Sequence, residues 1–87
     1  MKPGQELIDQ GIKDLAAGIE SIPALLVSIG APRLRGAGIA VPADTFRDPE
    51  HKLYLKLAEI HDDGAHSQYN ALIRRLVSFE RAAECGI

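Results

Sequence analysis

With 87 residues, 46% of them hydrophobic and 25% charged, the chain has the length of one domain and the composition of a folded protein rather than a disordered one. Its net charge is −2, and residues 33 to 87 hold eight basic and eight acidic side chains, which excludes the one-sided basic excess of a strong autonomous nucleic-acid binder. A single cysteine, Cys85, excludes an intramolecular disulfide and points to a reducing compartment. The longest apolar run, Ile22 to Ala31, is ten residues with a proline and a serine inside it, too short for a membrane span. Charges at Glu6, Asp9, Lys13 and Asp14 interrupt any signal-peptide core, so the expectation is a cytoplasmic protein with no membrane partner.

From Leu7 to Ile29 the apolar positions Ile8, Ile12, Leu15, Ile19, Ile22, Leu26 and Ile29 are spaced alternately by four and three residues. That spacing puts them on one stripe of an amphipathic helix, with Asp9, Gln10, Lys13, Asp14 and Glu20 mostly on the other side. Pro23 interrupts the pattern. Either one long helix kinks near Ile19 to Ser21, or Ser21 caps a second helix that carries Pro23 in its first turn, and the break is the preferred reading. Gly11 and Gly18 weaken the first segment and allow another helix to come close. Gly30 followed by Pro32 is expected to end this helical stretch.

Residues 31–47, with two prolines and two glycines among scattered apolar side chains, read as an ordered loop pinned to the helices by Leu34, Ile39, Val41 and Phe46. Asp48-Pro49-Glu50 then starts a helix: an N-cap, a proline at the first helical position and an acid in the first turn. This helix runs to about Asp62 with Leu53, Leu57 and Ile60 as its apolar set, and Asp63-Gly64 makes a tight turn. A last helix spans Ala65 to about Glu84, through Tyr69, Leu72, Ile73, Leu76, Val77, Phe79 and Ala83. The turn between them is so short that they must form an αα-hairpin or a near-perpendicular corner. The expected fold is all-α: one domain over residues 1–87, a small array of three or four helices, first helix broken or kinked near Pro23, an ordered Pro/Gly loop and a C-terminal hairpin.

The densest cluster of candidate metal ligands is His61, Asp62, Asp63 and His66, where imidazoles five apart flank two carboxylates. Turn chemistry explains the same residues: a histidine suits a helix C-terminus, aspartates form turns, and His66 or Ser67 begins the next helix. Metal binding is therefore the weaker reading, and no cofactor is expected. His51, ten residues before His61, lies about 15 Å away along its helix and cannot share an ion with it. Ser67, His66 and Asp63 could be written as a nucleophilic triad, but no glycine-flanked serine supports it. Gly36 and Gly38 lack the lysine and further glycines of a phosphate loop. The chain is thus not expected to be an enzyme.

Beside a small metal-binding protein using the His61-to-His66 turn, two functional readings remain from the residues. Arg33, Arg35, Arg74 and Arg75 are the candidate phosphate contacts of a nucleic-acid regulator acting as a dimer, a reading weakened by the aspartates beside His66 to Asn70. The favoured reading is an adaptor or inhibitor that binds a protein partner, or itself as a homodimer, through the Ile8-to-Ile29 stripe. A chain this short is hard pressed to cover seven branched aliphatic side chains with two later helices.

Overall fold

A computed structural model describes residues 4–85. Helix α1 spans Gln5–Ala16, with Glu6 in its first turn and Lys13 in its last, each placed to suit the helix dipole. It buries Ile8, Gly11 and Leu15, a spacing of three and four that defines one face. It stops in a Schellman motif. The Ile19 amide donates to the Asp14 carbonyl at 2.8 Å and the Gly18 amide to Leu15 at 3.1 Å, with Gly18 at φ +74°, a left-handed conformation that only glycine adopts without strain.

Helix α2 spans Ile22–Gly36. Ser21 is its N-cap: the hydroxyl accepts the Ala24 amide at 3.2 Å, and Pro23 sits in the first turn, where its missing N–H costs nothing. The stretch from 22 onward is thus a separate helix, not a continuation of α1, and the seven-residue stripe read from the sequence is divided between two axes. Ala24, Leu25, Leu26, Val27 and Leu34 are completely buried, because α2 packs against all three other α-helices. At about 1.5 to 3 kcal/mol for each large aliphatic side chain, α2 supplies much of the stabilising burial.

The expected stop at Gly30 and Pro32 is not where α2 ends. Pro32 lies inside the helix, which continues to Gly36 and closes in a second Schellman motif, with Gly38 at φ +87° and the Ile39 amide on the Leu34 carbonyl at 2.9 Å. Leu34, assigned from sequence to a loop, is a fully buried helical side chain. The connecting loop is correspondingly shorter, residues 37–48, and Ile39, Val41 and Phe46 pack against the core. The Ser28 hydroxyl anchors it: it donates to the Ala24 carbonyl at 2.9 Å and accepts the Phe46 amide at 3.4 Å.

Helix α3 spans Pro49–His61 and buries Leu53 and Leu57. Asp48 precedes it at φ +45° and makes no side-chain cap; its carbonyl instead accepts the Lys52 amide at 3.0 Å. A single 3-10 turn, Asp62–Gly64, leads into helix α4, Ala65–Glu84, which buries Ala65, Leu76, Phe79 and Glu80. Tyr54 and Tyr69 meet across α3 and α4 with ring centroids 5.9 Å apart. The described chain is all-helical, 77% helix with no strand.

Candidate functional site

Of the proposed interaction stripe, Ile8, Leu15 and Leu26 are buried core residues. Ile12, Ile22 and Ile29 are half-buried and pack against that core. Only Ile19, beyond the Gly18 turn, stands in solvent, at 53% exposure. Two separate axes replace one continuous seam, so most of the stripe is the inner lining of the fold rather than an outer surface.

The candidate metal ligands do not converge. His61, Asp62, Asp63 and His66 are all exposed, His66 instead lies 3.2 Å from the Asn70 amide nitrogen, and among the described residues no group of three or more His, Cys, Asp or Glu side chains is arranged to hold a metal ion. Asp62 adopts φ +46°, a strained conformation for any residue but glycine.

The four arginines divide. Arg33 is held by two carboxylates of α4: its Nη2 donates to Glu84 Oε1 at 2.7 Å, its Nε to Glu84 Oε2 at 3.4 Å, and its Nη1 lies 3.3 Å from Glu80 Oε1. The Glu84 fork and the nearby Glu80 charge raise the Arg33 pKa. Arg35 is turned onto the loop, where Nη2 donates to the Pro42 carbonyl at 2.6 Å. Arg74 and Arg75 remain exposed on α4. The nearby acid Glu80 pairs with Arg33 instead.

Glu80 was not singled out by sequence, and among the described residues it is the one carboxylate in the core, only 3% exposed. Burial raises its pKa; the Arg33 charge opposes that and the Glu84 charge adds to it. Glu84, hydrogen-bonded by Arg33, is shifted the other way. Arg33 and Glu80 border an apolar groove of about 250 Å³ lined by Ile29, Pro32, Ile73, Leu76 and Val77. Gly30 lets α4 approach here, since a Cβ on it would stand 2.7 Å from Leu76 Cδ1 and 2.8 Å from Glu80 Oε2.

The apolar surface that does reach solvent is elsewhere. Leu55 is 49% and Ile60 61% exposed on α3, and Ile60 therefore does not join Leu53 and Leu57 in the core as its spacing suggested. Leu55, Glu20, Lys52, Lys56 and Glu59 line an open depression of about 260 Å³. Lys52 Nζ is 3.4 Å from Glu20 Oε1 and lies over the Phe46 ring, 5.9 Å from its centroid. Ile19 and Ile60 are the chain neighbours of Glu20 and Glu59. A helical-wheel plot of α3 around Leu53 and Leu57 would have found Leu55 on the outward side, since residues two apart fall on different faces.

No protein-family model, no curated protein and no solved structure matches this chain. No described helix is long and apolar enough to cross a membrane.

Proposed function

We propose that the chain is a protein-interaction module that acts through the apolar side chains left in solvent on α3 and at the turn between α1 and α2: Leu55, Ile60 and Ile19. The observation that carries this reading is their exposure, between 49 and 61%, higher than that of any other large aliphatic side chain among the described residues. Burying such groups against a second protein releases about 25 cal/mol for each Å² removed from water. The surrounding lysines and glutamates suit the polar rim of such an interface. The separation of α1 from α2 before Pro23, and a hairpin of α3 with α4, are the framework of this reading, presenting α3 outward on a rigid base. A reducing, cytoplasmic setting agrees with the one free, exposed Cys85.

The test places a photo-crosslinking amino acid at Leu55, and in a second protein at Ser78 on the exposed side of α4. Protein adducts formed at 55 and not at 78 are expected. Absence of any protein adduct at 55, in the purified chain and in cells alike, removes the reading.

A second reading rests on α4. Its exposed positions from His66 to Arg81 include Arg74, Arg75 and Arg81 and no acidic side chain, a surface suited to the phosphates of a nucleic acid. Arg33 and Arg35, being held within the fold, are not part of it. Binding that weakens with salt and with Arg74→Ala and Arg75→Ala supports it; no binding at micromolar protein in low salt removes it.

A further inference from the structure

The outward strip of α3 has an order of charges that identifies one kind of partner. Lys52, Leu55, Lys56 and Glu59 follow one another at three, four and seven residues from the first, so they lie along one side of the helix over about 10 Å. The positive end is Lys52 and the negative end is Glu59. A strip laid against its own copy in parallel would set Lys52 on Lys52 and Glu59 on Glu59. Laid antiparallel about a two-fold axis between Leu55 and Lys56, it sets each Lys52 against the other copy's Glu59. Each Leu55 then lies beneath the aliphatic stem of the other copy's Lys56. This is the self-complementarity that an isologous interface requires, in which each contact is made twice.

We infer that α3 packs antiparallel on α3 of a second copy of this chain, with Lys52 paired to the second copy's Glu59; this rests on the proposed interaction surface and specifies its occupant. Within the chain Glu20 takes Lys52 from one side at 3.4 Å, while Lys56 and Glu59 make no ion pair among the described residues. Those two charges therefore stand unengaged beside the exposed Leu55. The strip is neutral as a whole, two lysines with Glu59 and Glu20, so two copies approach without net repulsion. A domain of this size covers a smaller share of its surface than a large one and gains most from such a contact.

The experiment is a charge exchange read by light scattering over a hundredfold range of concentration. The wild-type chain is expected to approach twice 9.4 kDa at its upper concentrations. Lys52→Glu and Glu59→Lys each reverse one partner in both symmetry-related pairs at once, and each is expected to weaken the dimer by about tenfold or more. Mixing the two variants in equal amounts creates a heterodimer in which both pairs between positions 52 and 59 again join a carboxylate to an ammonium, and dimer is expected to return. An unfolded variant cannot be rescued in this way, so recovery on mixing separates a broken interface from a broken fold; circular dichroism of each variant alone checks the helices directly. A wild-type monomer throughout, a dimer indifferent to both substitutions, or no recovery between folded variants overturns the inference. If Leu55 crosslinks only to a protein of other mass, the second copy is rejected and the interaction surface stands; if it crosslinks to nothing, both fall.

Discussion

Ser21 Oγ donates a 2.6 Å hydrogen bond to Asp14 Oδ2 across the turn that separates α1 from α2. The same oxygen accepts the Ala24 amide, and Asp14 Oδ1 is held by Gln10 Nε2 at 2.9 Å, so the end of one helix and the start of the next are tied through two side chains. Ser21→Ala removes both the cap and the tie and is expected to cost about 1 to 2 kcal/mol. Ser21→Asp is ordinarily an equivalent cap. Here it sets a second carboxylate against Asp14, and urea denaturation should show it less stable than wild type, with the gap narrowing in high salt.

Gly11 and Gly18 are both in or beside α1 and disfavour a side chain for different reasons. A Cβ at Gly11 would stand 2.3 Å from the Pro23 carbonyl oxygen and 2.5 Å from Val27 Cγ2. Gly11→Ala therefore forces α1 and α2 apart and is expected to cost about 2 to 3 kcal/mol. At Gly18 nothing lies within 4 Å of such a Cβ, but φ is +74°, so Gly18→Ala costs only the left-handed strain, about 1 kcal/mol. Thermal melting of the two alanine variants should rank them in that order.

Glu80 and Glu84 hold the same arginine and answer acid in opposite directions. Glu84, with its folded pKa lowered by Arg33, contributes stability above its ordinary value of 4.5 that is lost as pH falls through the folded value. Glu80, with its pKa raised by burial, binds its proton more tightly when folded, so its contribution is present below 4.5 and is lost as pH rises through the raised value. Glu80→Gln abolishes the second effect. Relative to wild type, this variant should gain stability as pH is raised from about 4 to 7, and urea midpoints across that range that run parallel would refute the assignment.

On α3, Leu53 is fully buried while Leu55, two residues on, is 49% exposed. Leu53→Ala is expected to cost about 2 to 5 kcal/mol. Leu55→Ala, measured at concentrations where the chain is monomeric, should change stability by no more than about 0.5 kcal/mol. Similar losses at both positions would mean that α3 is rotated from the orientation described.

The helical class and the α3 start at Asp48-Pro49 were legible because periodicity and proline placement are local signals. The end of α2 was not, since Pro32 reads as a stop whenever only its lost bond and ring clash are considered. Burial of Leu34 outweighs that, and Leu26, Gly30 and Leu34, each four apart, carry the α2 face through the proline. A further signal was present: Ala37-Gly38-Ile39 repeats Ala17-Gly18-Ile19, and both are the same helix terminator. The stripe from Ile8 to Ile29 was legible as apolar but not as inner or outer, because its spacing is blind to a change of axis at Gly18. Glu80 was illegible for another reason. Its burial depends on Arg33, far away in sequence, and on the missing side chain of Gly30.

The position of α2 gives the molecule a hierarchy of openings. This helix packs against α1, α3 and α4, whereas the only extensive contact of α1 is with α2. Releasing α1 uncovers a single interface, but α2 cannot leave without dissolving its contacts with α1, α3 and α4 together, leaving only α3 on α4 among the α-helix pairs in extensive contact. Native-state hydrogen exchange should accordingly find α1 amides exchanging through a partial opening that leaves the rest of the chain folded, and the amides of Leu25 to Ser28 only through global unfolding. The Ser21–Asp14 tie then acts as a latch on that first opening, beside the apolar contact of Ile8 and Leu15, so loosening it should uncover the inner surface of α2 more often.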